Sequence, residues 1–170
     1  MDKFGSHKPV CIGEMLSSNK DRILSVSGAA FCVFVFTIAL IRSAVTAITY
    51  DEATTYLIFY RENLFAPDVL RWYFTKAGCV ANNHWLNTIL IWIVCKITDI
   101  EFSEFLIRFP VLVLYAVYLF AACRAWKSSL ISFPVLILLA GNYYLNEFCG
   151  LARGYGMANT FVFLFCIRYM

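Results

Sequence analysis

The stretch ILSVSGAAFCVFVFTIALI, residues 23–41, decides the fold class because no charged side chain interrupts it. A run of about 20 apolar residues is what one α-helix needs to cross the hydrocarbon core of a bilayer. The whole chain of 170 residues is 61% hydrophobic, a content typical of integral membrane proteins. We therefore expect an all-α fold, a polytopic membrane helix bundle with interfacial amphipathic helices in its first outer loop.

Further apolar runs divide the rest of the chain into predicted helices. After a polar cytoplasmic tail, 1–22, we expect membrane spans at about 23–47, 106–123, 130–150 and 155–170. Interfacial or re-entrant helices are expected at about 52–64, 69–77 and 84–97. Residues 23–170 would then be the N-terminal part of a longer transmembrane module, since the last span is barely complete at Met170.

The segment 84–97 leaves two topologies open. Its apolar run is about a dozen residues long, a length more typical of re-entrant or interfacial helices than of spans. If it does not cross, Arg124 and Lys127 fall on the cytoplasmic side, in agreement with the positive-inside rule; if it does cross, they fall outside. We favour the first topology. In both, the Lys and Arg residues of the tail place the N-terminus in the cytoplasm.

Charge and cysteine content argue against several other protein classes. The formal net charge of +3 is small and comes mostly from short segments that flank the apolar runs, so no nucleic-acid partner is expected. The seven cysteines form no CxxC pair, and the chain contains two histidines. A disulfide scaffold and a Cys/His metal centre are therefore not expected.

Two adjacent carboxylates, Asp51 and Glu52, follow the first apolar run at the predicted membrane face. Ionisable residues are costly in such positions and mark functional sites. Asp51 is our candidate general base, or the ligand of a divalent cation such as Mg²⁺ or Mn²⁺. Alternatively, its whole role is to cap the following helix. Glu52 is either a second catalytic or metal-binding carboxylate or a first-turn acid favoured by the helix dipole.

Other polar residues fall on the same side of the membrane in this topology. Asn83 and His84 precede the apolar segment 85–95, and backbone N–H groups at a helix start favour anions. His84 is alternatively an interfacial residue with its ring among the headgroups. Arg108 is a candidate phosphate ligand, or alternatively the i,i+4 partner of Glu104.

A third polar group lies in the last third of the chain. Asn142, Asn146, Gly150 and Arg153 recur at intervals that would place them on one face of a continuous helix, and Glu147 lies beside them. Such a face indicates a polar cleft or a helix-packing surface, and Arg153 is alternatively an interface anchor. Convergence of separate segments on one side is what an active site requires.

Four motifs then occur in a familiar order: YDE (50–52), NNHWLNT (82–88), SEFLIRFP (103–110) and LARGYG (151–156). None is specific alone, but their order and their position relative to the apolar runs resemble the membrane glycosyltransferases of the C-type superfamily. The branch that the chain resembles most contains the protein mannosyltransferases and the aminoarabinose transferases. The resemblance covers roughly residues 23–170. Trp85 departs from the pattern, since proline is common at its position.

The resemblance implies a multi-span enzyme. It would transfer a sugar, with inversion, from a polyprenyl-phosphate donor to a lipid, glycan or protein acceptor at the outer face of a bacterial or archaeal cell membrane. Asp51 then matches the first-loop base or metal-facing carboxylate, and Glu52 matches its acidic neighbour. The candidate substrate-binding residues are Asn83, His84, Arg108, Glu147, Arg153 and Tyr155.

A non-catalytic membrane subunit or a transporter fragment is the alternative. The outer polar residues would then hold helices together rather than bind a substrate. A transporter places its ionisable residues near the middle of the bilayer, whereas these lie at the ends of predicted spans. This difference favours the enzyme.

Overall fold

The computed structural model describes residues 12–57, 66–68, 71, 84–99 and 103–169. This part of the chain contains seven helices and no strand, which confirms the all-α prediction for the described residues. The helices are α1 (Ile12–Val45), α2 (Tyr50–Thr55), α3 (Trp85–Thr98), α4 (Glu104–Lys127), α5 (Phe133–Ala140), α6 (Tyr143–Cys149) and α7 (Gly154–Tyr169).

Two of the described helices are long and apolar enough to cross a membrane, judged by length and composition. They are the part of α1 from Val26 to Val45 and the whole of α4. α3 is a shorter apolar helix of 14 residues that includes the polar Asn87 and Lys96. At about 1.5 Å per residue this helix is shorter than the hydrocarbon core, which is about 30 Å thick.

α1 and α4 are antiparallel and form the centre of the fold. Near one end, the Arg108 guanidinium donates to the carbonyl oxygens of Ser43 and Thr46 at 2.8 and 2.7 Å. Near the other end, the Trp126 ring lies against Gly28. Buried apolar side chains fill the space between, among them Cys32, Val35, Ala39, Val111, Leu112, Tyr115 and Leu119.

We call the end of the bundle that contains Arg108 and Ser43 the Asp51 end, because α2 follows α1 there. α3 packs against this end: its buried Ile91 and Cys95 form a cluster with Ile107 in the first turn of α4 and with Ala152. One face of α3 therefore packs against the Asp51 end of the bundle.

α7 runs parallel to α4, away from the Asp51 end. The contacts between the two helices advance in step along both. Gly156 lies against Val111, the Thr160 hydroxyl donates to the Leu114 carbonyl at 3.5 Å, and the Phe163 ring lies 4.6 Å from the Tyr118 ring.

The predicted span 130–150 is wrong as a single helix, because the chain breaks at Gly141 and Asn142 into α5 and α6. The Asn142 side chain caps α6 by accepting from the Leu145 N–H at 3.0 Å. The Asn146 amide donates to the carbonyls of Ala140 and Asn142 at 3.1 and 2.9 Å. Asparagine side chains compete with helical hydrogen bonds in this way.

This break also overturns the predicted continuous face of Asn142, Asn146, Gly150 and Arg153, because residues 142–153 are not one helix. The Asn146 carbonyl oxygen instead accepts a hydrogen bond from the buried Tyr115 hydroxyl.

Two predicted boundaries at the start of the chain also need correction. The tail 1–22 was expected outside the first helix, but α1 already begins at Ile12. The helix predicted at 52–64 begins earlier, at Tyr50, and its α-helical part ends at Thr55. Tyr56 and Leu57 continue it as a π-helical turn, whereas residues 58–64, most of the helix predicted at 69–77, and Asn83 lie outside the described residues.

Candidate functional site

A capping box starts α2 at the end of the first apolar helix. Thr49 is the N-cap, and its hydroxyl accepts from the Glu52 N–H at 3.4 Å. In return, the Glu52 carboxylate accepts from the Thr49 N–H at 2.8 Å. Asp51 as the helix cap is therefore wrong. The sequence Thr-x-x-Glu at 49–52 carries the signal for this arrangement.

Glu52 and Arg108 form a buried, bidentate ion pair. Arg108 Nε donates to Glu52 Oε1 and Arg108 Nη2 donates to Glu52 Oε2, each at 2.8 Å. The exposed fraction of the side chain is 1% for Glu52 and 0% for Arg108. The guanidinium also donates to the carbonyls of Ser43, Thr46 and Ala47. The pair therefore joins the end of α1, the start of α2 and the start of α4.

Burial alone would raise the pKa of the Glu52 carboxyl. The hydrogen bond from Arg108, those from the Ala152 and Thr49 amides, and the Arg108 charge outweigh burial and lower this pKa below its ordinary value. Glu52 is therefore ionised at neutral pH, and its oxygens already accept hydrogen bonds from Arg108, Ala152 and Thr49.

Glu52 also positions the turn that precedes α7. The Ala152 N–H donates to Glu52 Oε1 at 2.7 Å, and the Ala152 carbonyl accepts from Asn87 Nδ2 at 2.8 Å. One peptide segment is thus held from α2 on one side and from α3 on the other. Arg153 is the next residue, so these bonds fix where its side chain starts.

A small cleft brings together three segments that are far apart in the sequence. Asp51 lies on α2, His84 is the N-cap of α3, and Arg153 and Tyr155 lie at the start of α7. The other residues that line it are Thr55, Asn87, Thr88 and Ala152. Arg153 Nη2 lies 3.4 Å from Asp51 Oδ2, and each side chain is 32% exposed. Asp51, His84, Arg153 and Tyr155, all predicted as site residues, thus lie together.

The His84 ring packs closely against α7. It meets the Tyr155 ring edge-on with 4.5 Å between centroids. It also lies so near Gly154 that a Cβ atom there would be 2.3 Å from the His84 ring. Burial lowers the pKa of His84 below its ordinary value, while the Asp51 charge acts in the opposite direction. The imidazole is therefore neutral at pH 7 and can contact a phosphate as a hydrogen-bond donor rather than as a cation.

Two of the predicted substrate-binding residues do not line the cleft. Arg108 is enclosed by its bonds to Glu52 and to three carbonyls. Glu147 pairs with Arg42, with 2.5 Å between Oε2 and Nη2. The structure therefore gives both side chains partners within the helix bundle.

Asn87 was not among the predicted site residues, yet it lines the cleft from the first turn of α3. Its side chain is 3% exposed, and its Oδ1 has no hydrogen-bond partner among the described residues. The sequence signal was an amide inside the motif NNHWLNT, at the start of an apolar helix where an apolar residue would bury more favourably.

A divalent cation at Asp51 fits the described residues poorly. Asp51 is the one carboxylate among the cleft's described lining residues, and the Arg153 guanidinium lies beside it. The described residues contain no group of three or more His, Cys, Asp or Glu side chains that could hold a metal ion. Divalent cations of the Mg²⁺ type prefer several oxygen ligands without a competing positive charge.

Comparison of the chain with protein-family models, with curated proteins and with solved structures found no match. The resemblance to C-type glycosyltransferases therefore stays a prediction, based on the four sequence motifs.

Proposed function

We propose that this chain is the N-terminal part of a membrane glycosyltransferase that takes a sugar from a polyprenyl-phosphate donor and transfers it to an acceptor hydroxyl at the outer membrane face. One observation carries the proposal. Asp51, His84 and Arg153 come from three separate segments and line one cleft next to the ends of apolar helices. The order of the sequence motifs adds independent support.

In this proposal the helices form a polytopic bundle with the Asp51 end at the outer face. α1 leads outward, α4 inward, α5 and α6 outward together, and α7 inward again. The antiparallel packing of α1 and α4 supports this path, as does the parallel packing of α4 and α7. Arg124 and Lys127 lie in the last turn of α4, opposite the cleft, as expected for cytoplasmic basic residues. α3 would be an interfacial helix over the outer end.

The reaction would be a direct displacement at the anomeric carbon. The acceptor oxygen forms a bond to this carbon while the bond to the phosphate oxygen breaks, and the leaving polyprenyl phosphate keeps the electron pair. Asp51 would accept the proton of the attacking hydroxyl, which is general-base catalysis. Attack opposite the leaving group inverts the configuration.

Arg153 is the cation best placed for the phosphate. Its guanidinium is partly exposed at the cleft and would move from Asp51 to the donor phosphate, which leaves the carboxylate free to act as a base. A positively charged hydrogen-bond donor such as a guanidinium stabilises an anionic leaving group as it departs at neutral pH. Glu52 and Arg108 would act as positioning residues, since their polar atoms already bond within the bundle.

Transfer itself tests the proposal. Membranes that contain the uninterrupted gene product of which this chain is a part are incubated with a panel of polyprenyl-phosphate sugars, each radiolabelled in the sugar. Matched membranes without the protein are the control. We expect the wild-type protein to transfer label from at least one donor, with the opposite anomeric configuration in the product. Folded, inserted protein that transfers from none of the donors would contradict the proposal, and retention of configuration would contradict its mechanism.

A non-catalytic membrane subunit is the second candidate, and a specific observation favours it. Two ion pairs, Glu52–Arg108 and Arg42–Glu147, join helices to one another. In a subunit, the Asp51–Arg153 pair would also only hold helices together. Such a protein has no transfer activity of its own.

A further inference from the structure

Asn87 presents a buried hydrogen-bond acceptor to the cleft. Its Nδ2 donates to the Ala152 carbonyl at 2.8 Å. Because a carbonyl can only accept, this bond assigns the two ends of the amide and directs Oδ1 elsewhere. Oδ1 is buried, and it has no partner among the described residues. Buried polar atoms in folded proteins almost always have a partner, so this oxygen calls for one.

Two nitrogen atoms of other residues that line the cleft are also buried without a hydrogen-bond partner among the residues that the structure describes. His84 Nε2 and Arg153 Nε are buried and also lack a partner within the described part of the chain. With its hydrogen on Nε2, the neutral His84 ring can donate from there, and Arg153 Nε always donates. Three residues that line the cleft therefore have a buried polar atom without a partner in the described part of the chain: an acceptor on Asn87, a donor on Arg153 and, in this tautomer, a donor on His84.

A hydroxyl group is the chemical complement of this set, since it has one hydrogen to donate and two lone pairs that accept. The free volume of the cleft is about 10 Å³, close to the space that one water molecule needs. A hydroxyl group of a larger ligand fits this space. The Arg153 guanidinium disfavours a cation at the same position.

We propose that Asn87 binds substrate, its Oδ1 accepting a hydrogen bond from a hydroxyl of a sugar held at the cleft. This inference rests on the proposed function for the class of ligand. The sugar could belong to the donor or to a glycan acceptor, since both carry such hydroxyls. The bond from Nδ2 to Ala152 would place the oxygen and hold the Arg153 turn at the same time.

The test measures binding rather than transfer. The full chain is placed in lipid nanodiscs, and its apparent unfolding midpoint is followed against the concentration of three probes: a set of polyprenyl-phosphate hexoses, bare polyprenyl phosphate, and a set of methyl hexosides. The proteins are wild type, Asn87→Ala and Asn87→Asp. A protonated Asp at this buried position keeps the shape, the acceptor oxygen and a donor toward Ala152.

We expect the wild type to bind a sugar-bearing probe better than its sugar-free control. Asn87→Ala should weaken binding of the sugar-bearing probe roughly tenfold more than binding of bare polyprenyl phosphate, the loss expected for one hydrogen bond to a ligand. Asn87→Asp should keep most of the sugar preference. Preference for a polyprenyl-phosphate hexose would assign the hydroxyl to the donor, and binding of a methyl hexoside alone would assign it to the acceptor.

Three results would overturn the inference: no sugar preference in the wild type, the same preference in Asn87→Ala, or an equal loss in Asn87→Asp and Asn87→Ala. The last result would reduce the role of Asn87 to its bond with Ala152, and the first two would leave a water molecule as the partner of Oδ1.

Sugar binding through Asn87 without any transfer would leave this inference standing and contradict the proposed enzyme. Sugar transfer together with an unchanged sugar preference in Asn87→Ala would support the proposed enzyme and contradict the role of Asn87.

Discussion

Arg108 Nε and Nη2 each donate to Glu52 at 2.8 Å, and neither side chain reaches the surface. The neighbouring residue Asp51 has a different environment, since it is partly exposed in a cleft with His84 and Arg153. Two consecutive carboxylates in the sequence thus have separate surroundings, one buried inside the bundle and one partly exposed at a cleft. We expect substitutions at the two positions to affect different properties of the protein.

Replacement of Glu52 should destabilise the fold. Glu52→Gln would leave the Arg108 charge buried without a counter-charge, and loss of one partner of a buried pair costs about 3–5 kcal/mol. The change is measured as the free energy of unfolding in detergent or nanodiscs. Asp51→Asn is the matched control, because its partly exposed pair with Arg153 should contribute less than about 1 kcal/mol. Equal losses for the two variants would contradict the assignment.

The same pair predicts a dependence of stability on pH. The pKa of Glu52 is lower in the folded protein than in the unfolded chain, where it is about 4.3. Its ionised form therefore contributes stability above about pH 4.3, and this contribution is lost as the pH falls through the lowered pKa. The difference in unfolding free energy between wild type and Glu52→Gln should be constant from pH 7 to about pH 5 and should shrink below about pH 4.3. If the difference in unfolding free energy between wild type and Glu52→Gln grew as the pH falls, the lowered pKa of Glu52 would be contradicted.

Gly154 permits the close approach of α7 to His84. In Gly154→Ala the new Cβ would lie 2.3 Å from the His84 ring, so the ring or the helix must move. We expect a loss of about 1–3 kcal/mol in unfolding free energy and a weakened response to polyprenyl-phosphate sugars. Gly150→Ala is the control, since the atoms nearest to its Cβ lie at 3.4 and 3.7 Å, which is ordinary contact. Equal effects at both glycines would show that the contact with His84 has no special role.

Much of the helix pattern followed from local sequence. The predicted segments 84–97, 106–123 and 155–170 correspond to α3, α4 and α7, because each is predominantly apolar over the length of a helix. The break between α5 and α6 did not follow, because the hydropathy of residues 130–150 does not reveal the hydrogen bonds of the Asn142 and Asn146 side chains to the backbone. The bond between Tyr115 and Asn146, 31 residues apart, is likewise absent from any local pattern.

The site was predictable in part. Counting predicted spans placed the polar segments around Asp51, His84 and Arg153 close together, and the structure brings these residues to one cleft. The roles of Glu52 and Arg108 could not be read in this way, because they depend on a bond across 56 residues. Asn87 was missed because a single asparagine at the start of an apolar helix is not a specific sequence signal. That its Oδ1 lacks a partner among the described residues depends on the bond between its Nδ2 and the Ala152 carbonyl, which the sequence does not show.

The measurement that tests the central claim most directly is the rate of sugar transfer by Asp51→Asn, with Asp99→Asn as its matched control. Asp99 is an exposed aspartate at the C-cap of α3 in the left-handed conformation, which asparagine tolerates well. Both variants should unfold within about 0.5–1 kcal/mol of wild type. We expect Asp51→Asn to lower the transfer rate by about 10²–10⁴, the contribution of a general base, and Asp99→Asn to leave it unchanged. Equal transfer rates for wild type and both variants would contradict the assignment of Asp51 as the reactive carboxylate.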